Sequence, residues 1–186
     1  IQEQLGVTFV VVTHDQEEAM TLSTRIAIMD AGRFMQIGTP TEIYEFPNSR
    51  VVANFIGNAN MFEGRIIENS QDHVIVESKH PDCEFYIDHG ISIPEGTRVW
   101  VALRPEKVRI SKEPPENGKT NVIKGLVHDI GYFGGSSTYR VQVEDGHLVE
   151  ITSPNMLRPK EAIPPIDWDQ EVFLSWDASS SVVLTK

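Results

Sequence analysis

The chain has 186 residues, 40% of them hydrophobic and 23% charged, with a formal net charge of -11 and a pI near 4.9, room for one large domain or two small ones. An acidic surface repels nucleic-acid phosphates and anionic lipid headgroups, and no local basic patch offsets it, so nucleic acid is not an expected partner. The single cysteine, Cys83, excludes an internal disulfide and fits a reducing compartment. No signal peptide opens the chain and no apolar run approaches the roughly 18 residues of a membrane span, so membrane association is expected only through a partner protein.

The opening, IQEQLGVTFVVVTH, starts in mid-pattern, without cap or lead-in, and reads as the interior of a larger domain. Val7 to Val12 is almost continuously β-branched and aromatic, which predicts a central strand of a parallel sheet, buried on both faces. Thr13 and Gln16 stand at capping-box spacing, and Asp15, Glu17 and Glu18 fill a first helical turn that favours anions. Strand, sharp turn and helix are therefore expected over VVVTHDQEEAM. Asp30-Ala31-Gly32 then marks a hairpin between two short apolar strands. Thr39-Pro40-Thr41-Glu42 starts a short helix, with a cap, a first-position proline and a glutamate at the third helical position. A further helix runs from Ser49, with Val51, Val52, Phe55 and Ile56 on one side and Gly57 as its stop.

After Gly57 the periodicity changes from helical to alternating. Strand-like runs occupy 61–68, 73–77, 84–88, 98–103, 107–110, 121–130, 137–143, 147–151, 171–176 and 182–185, separated by turn residues, as in a small barrel or sandwich. RVWVALRPEKVRI (98–110) and EVFLSWDASSSVVL (171–184) share one layout, and glycine follows a charged residue upstream of each, at Glu63-Gly64 and Lys124-Gly125. Two similar half-barrels in tandem are expected, with Trp100 and Trp176 in comparable core places. The domain boundary is placed at 57/58.

Few residues offer chemistry. His14 stands at the carboxyl end of the first expected strand, where open α/β sheets bind ligands, and its ring can hydrogen-bond a phosphate or a water beside one; a plain strand-end cap is the competing reading. NGKT (117–120) lacks the first glycine of a phosphate-binding loop, because Glu113 stands there and PPEN intervenes. His80, Cys83 and His89 lack the close pairing of a zinc site, and no metal site is expected. GYFGG (131–135) has neither the spacing nor the following helix of a dinucleotide fingerprint, so its glycines serve a turn. No cluster of nucleophile, base and oxyanion donor can be assembled from the chain.

VVVTHDQEEAM resembles the switch-loop segment of ABC transporter ATPases, in which a histidine at a strand end contacts the γ-phosphate of ATP. RIAIMDAGRFMQIGTPTEIYEFPNSRVVANFIG is similar to the end of the same nucleotide-binding domain. VALRPEKVRI and LSWDASSSVVL are similar to the two halves of the OB-like regulatory domain, TOBE, that follows it. The resemblance spans essentially the whole chain and implies a mostly β fold: residues 1–57 the end of an ABC ATPase nucleotide-binding domain, a small α/β remnant, and 58–186 an OB-like TOBE barrel. It also implies that His14 is the switch histidine, catalytic and cofactor-binding, while Asp15 only begins the helix.

Among importers, RPEKVRISKEPPENG with SWDASSSVVLT looks most like the polyamine, and particularly the putrescine, ATPases. That resemblance implies ATP and Mg²⁺ as cofactors of a full-length parent. The implied partners are inner-membrane permease subunits, a second copy of the ATPase subunit and, indirectly, a periplasmic or extracellular substrate-binding protein. The location would be the cytoplasmic face of the membrane. The phosphate-binding loop, signature motif and catalytic glutamate would precede Ile1, so the 186 residues alone are expected to be inactive and to hold no cofactor. The rival is a stand-alone OB-like module that binds a small oxyanion or a regulatory protein. A metal-dependent hydrolase built on His14 and Asp15 is a third, poorer candidate for want of further ligands.

Overall fold

The computed structural model describes residues 6–115, 120–144, 146–156 and 166–185. NGKT (117–120) therefore lies largely outside the described residues. Two compact units emerge, Ile1–Pro47 and Asn48–Lys186, a division ahead of the 57/58 boundary expected from the change of periodicity.

In the first unit, helix α1 (Gln16–Leu22) is followed by strands β1 (Ile26–Asp30) and β2 (Arg33–Gly38) and by helix α2 (Pro40–Glu45). β1 and β2 pair antiparallel. Ala31 and Gly32 both have positive φ, 46° and 76°, the backbone a two-residue type I′ turn requires. The expected capping box of α2 is present in both directions: Glu42 N–H donates to Thr39 Oγ1 and Thr39 N–H donates to Glu42 Oε2. That second bond is the leading cause that holds the Glu42 carboxyl below its ordinary value.

The expected strand over Val7 to Val12 does not form. These residues are irregular and exposed, Val10 at 88% and Val12 at 96%. Among the described residues no strand lies beside them, and an apolar run becomes a central strand only when neighbours take up its N–H and C=O groups.

The second unit opens with helix α3 (Arg50–Phe55), capped by the Ser49 hydroxyl, and Gly57 turns the chain with φ 89°. Ten strands follow, close to the alternating runs of the sequence: β3 (Asn60–Asn69), β4 (Val74–Lys79), β5 (Asp82–Ile87), β6 (Arg98–Leu103), β7 (Arg109–Ser111), β8 (Thr120–Tyr132), β9 (Ser136–Val143), β10 (Leu148–Pro154), β11 (Glu171–Asp177) and β12 (Ser181–Leu184). They form two five-stranded sheets, ordered β12-β6-β3-β4-β5 and β7-β11-β8-β9-β10.

The two orders are the same order with one strand exchanged. β3 to β6 correspond to β8 to β11, while β7 of the first half completes the second sheet and β12 of the second half completes the first. A 3-10 turn stands before each exchanged strand, at Pro105–Lys107 and Ala178–Ser180. Bulges fall at equivalent places, Ile66/Glu68 and Val127/Asp129.

Gly64 and Gly125 are equivalent as well. A Cβ on Gly64 would lie 2.5 Å from Val76 Cγ1 and 2.6 Å from Glu77 O; one on Gly125 would lie 2.6 Å from both Val141 Cγ1 and Gln142 O. Close approach of the neighbouring strand, not turn geometry, demands glycine at both.

One core joins the halves. Phe62 and Phe85 of the first half meet Trp176 of the second, with ring centroids 5.0 to 6.4 Å apart, amid Val, Ile and Leu from both sheets. The buried indole N–H donates to Ser181 Oγ. Pairing registers correct the expected equivalence of the tryptophans. Trp100 faces Glu63 and Phe173 faces Lys124, while Trp176 faces Asn121 and Leu103 faces Asn60. Trp100 thus matches Phe173 on the outer face, and Trp176 matches Leu103 in the core. The period of two decides the matter: a shift of three residues moves a side chain to the opposite face.

Candidate functional site

The site that the sequence points to is built around His14, where the irregular segment enters α1. Asp15 N–H donates to Thr13 Oγ1 at 3.0 Å, and Asp15 is itself the N-cap, accepting from Glu18 N–H at 3.0 Å. The cap is thus Asp15 and not Thr13, because the Thr13 hydroxyl is spent on the tight turn at 13–15. His14 is exposed and has no hydrogen-bond partner among the described residues. Asp15, Glu17 and Glu18 ring the start of α1 with carboxylates. Those charges oppose an anion at the helix end, so a phosphate contact there falls to the imidazole alone.

The other sequence candidates lie in and around hairpins of the second unit. His80 opens the β4–β5 turn through a cis peptide to Pro81, Cys83 lies half-buried on β5, and His89 lies beyond its end beside Asp88. Among the described residues no group of three or more His, Cys, Asp or Glu side chains could hold a metal ion. GYFGG is the tip of the β8–β9 hairpin, where Gly134 has φ 74° and Tyr132 and Phe133 are 67% and 72% exposed. No helix of the described residues is long and apolar enough to cross a membrane.

Sequence reasoning missed two constellations in the second unit. The first closes the barrel. Asn60, at the start of β3, donates from Nδ2 to Glu150 O and accepts at Oδ1 from Glu150 N–H, both at 2.8 Å. Asn121, equivalent at the start of β8, does the same to Tyr86, donating to its O at 2.9 Å and accepting from its N–H at 2.7 Å. Each amide side chain imitates a peptide group and pairs with the edge strand of the other half, β10 or β5. The paired asparagines could have been found from their equal spacing before the two glycines, Asn60 to Gly64 and Asn121 to Gly125.

The second constellation anchors α3. Arg104 is 6% exposed and donates to the carbonyls of Ala53, Gly57 and Asn58 at 2.8 to 3.3 Å. A cation at these carbonyls complements the negative helix end. It also ties α3 and the turn at 57–58 to the end of β6, and thereby accounts for the unit division ahead of Asn48. Ala53 packs on Ala102 and Leu184, and the Arg50 guanidinium lies 4.3 Å from the centroid of Trp100.

Comparison with known proteins gives this geometry its place. Residues 101–184 match the TOBE domain family. Over 185 residues the whole chain is 43% identical to the putrescine transport ATP-binding protein PotG of Escherichia coli K12, and 33% identical to the spermidine/putrescine import ATP-binding protein PotA of Thermotoga maritima. It spans 100% and 99% of itself in these matches but 48% and 50% of the relatives. The chain therefore covers about half the length of the curated relatives it matches. The crystal structure of the cytoplasmic molybdate-binding protein ModG with molybdate bound superposes with a TM-score of 0.57 at 11% identity, over 67% of this chain and 94% of that one. That likeness confirms the expected OB-like, mostly β architecture and speaks to fold alone.

Proposed function

We propose that the chain is the TOBE-bearing part of the ATP-binding subunit of an ABC importer, and that the parent couples ATP hydrolysis to uptake of polyamines, putrescine or spermidine. The observation that carries this reading is the 43% identity along the entire chain to a putrescine transport ATP-binding protein. In this reading His14 is the switch histidine. Its exposed ring, free of partners among the described residues, would reach the γ-phosphate of a nucleotide held by residues of the parent, and help align the attacking water. ATP, with Mg²⁺, would supply the phosphoryl group and the charge neutralisation. This chain would supply the histidine and the regulatory barrel.

The partners that follow are permease subunits at the cytoplasmic face of the membrane, a second copy of the subunit and, indirectly, a substrate-binding protein. The 186 residues alone would not turn over ATP, since one imidazole beside three carboxylates cannot hold a triphosphate.

The test is His14→Ala in the full-length parent. Turnover should be almost abolished with nucleotide binding largely kept; unchanged turnover removes His14 from the mechanism. The rival oxyanion module is tested by titrating molybdate into the chain. Micromolar binding would favour the module, and absence of heat would leave the importer reading in place.

A further inference from the structure

We propose that His73 is a proton-operated brace, which in its doubly protonated form pins the β3–β4 hairpin tip to the edge strand where the two half-barrels meet. Both ring nitrogens face carboxylates: Nε2 lies 3.0 Å from Glu68 Oε1 and Nδ1 lies 3.1 Å from Asp72 Oδ1. A neutral imidazole has one N–H and can serve only one of them, leaving a lone pair against the other carboxylate. The imidazolium donates to both. Ser70 Oγ, 2.8 Å from both Nδ1 and Asp72 Oδ1, completes the cluster.

The ring is also packed. It stacks on Tyr86 with centroids 5.2 Å apart and planes 20° from parallel. Tyr86 is the residue whose N–H and C=O are held by Asn121 of the other half. His73 thus touches, through one ring, the residue at which the second half-barrel grips the first.

The charged and titratable neighbours are few. Glu68 comes from β3, Asp72 from the turn and Tyr86 from β5. Glu95 reaches the same turn but is engaged by Asn69 N–H, and Asp88 and His89 pair with each other beyond the end of β5. Asp72 foremost, with Glu68, holds the His73 ring above its ordinary 6.5 against the cost of partial burial. Ser70 and then His73 hold the Asp72 carboxyl below its ordinary 3.8.

The sign follows. A raised histidine stabilises the fold fully below its unfolded value and loses that contribution as pH rises through its folded value; a depressed carboxylate loses its contribution as pH falls. The brace is engaged between the two and releases on the alkaline side. The equivalent hairpin tip of the other half, Gly131 to Gly135, carries no titratable side chain except Tyr132, so the device belongs to one half alone.

The test is a proton NMR titration of the His73 ring in the full chain, with amide-exchange protection factors at Ser70, Tyr86 and Gly90. We expect a midpoint above 6.5, moved towards acid by Glu68→Gln and by Asp72→Asn. Protection at the three amides should fall several-fold as pH rises through the midpoint, and His73→Gln should abolish that dependence while β9 and β10 keep their protection. A midpoint at or below 6.5, or protection indifferent to it, overturns the proposal.

Discussion

The two half-barrels have one framework and two sequences, and their differences separate what the framework demands from what it merely permits. Gly64 and Gly125, Asn60 and Asn121, the paired bulges and the exchanged strands recur because strand approach and edge closure leave no alternative. The core does not recur. Phe62, Phe85 and Trp176 cluster on one side, where their equivalents, Ile123, Val149 and Leu103, are aliphatic. Large side chains contributed by both halves fill space that their smaller counterparts leave, as close packing requires.

The outer faces differ as well. On the first sheet, Met61, Trp100, Ala102, Val182 and Leu184 pack with Ala53 of α3. Their equivalents on the second sheet are Val122, Phe173, Ser175, Arg109 and Ser111. Beside β7 the surface opens into a cavity of about 570 Å³, lined by Arg109, Ser111 and Ser175 together with Val108, Ile110 and three prolines.

The largest test of this comparison is the tryptophan pair. Trp176→Ala should cost about 3–5 kcal/mol in a denaturant titration, as large core truncations do. Trp100→Ala should cost about 1–2 kcal/mol, because the ring is half-exposed and loses only α3 and its arginine neighbours. Equal losses would restore the equivalence that their sequence context suggested.

Next come the edge closures. Asn60→Ala and Asn121→Ala should each cost about 2–3 kcal/mol, since each strands a backbone donor and acceptor on an edge strand. The two losses should match within error and add in the double variant, the sites having no shared partner. A marked inequality would mean that one edge is closed by other contacts.

Much of this architecture was legible in advance. The ten strands follow from alternation, and the α2 capping box and the Ala31-Gly32 turn from local chemistry that needs no tertiary context. The strand at Val7 to Val12 was not, because apolarity announces burial without saying by what. The exchange of β7 and β12 was equally hidden: strands of three and four residues carry too little pattern to name their partners. Asn60 and Asn121 carried one sequence signal, their equal spacing before Gly64 and Gly125, but an asparagine that replaces a peptide group looks like any turn residue until the edge it serves is located. His14 was singled out by its place at a strand end, yet no strand forms there, and the interest of that residue rests on the match to ATP-binding subunits.

A third comparison concerns the glycines. Gly64→Ala and Gly125→Ala should each lower stability by about 1–3 kcal/mol through overpacking against a neighbouring carbonyl, measurable by thermal melts. Gly134→Ala, on the exposed β8–β9 tip with open space around its missing Cβ, meets only the strain of positive φ, and about 1 kcal/mol is expected. The contrast distinguishes crowding from backbone conformation as the reason for glycine.

The smallest effect is a matter of charge. Glu63 pairs with Arg98 across β3 and β6 at 2.6 Å, and the equivalent pair, Lys124 with Glu171 at 2.8 Å, carries the opposite sign on each strand. Exposed pairs are screened by solvent, so each is expected to contribute little and less in high salt. The Arg98 hydrogen bond nevertheless holds the Glu63 carboxyl below its ordinary 4.5. A depressed carboxylate contributes stability above its unfolded value and loses it as pH falls through its folded value. Glu63→Gln should therefore be nearly silent in the acid range where Glu63 is already protonated, and show its whole effect above pH 4.5. Swapping both partners, Glu63→Arg with Arg98→Glu, should copy the polarity of the other half and restore stability. If the swap fails while Lys124 and Glu171 tolerate theirs, the Arg50 guanidinium that also reaches towards Glu63 and Trp100 fixes the sign on this face, and the covering helix, rather than the sheet, chose it.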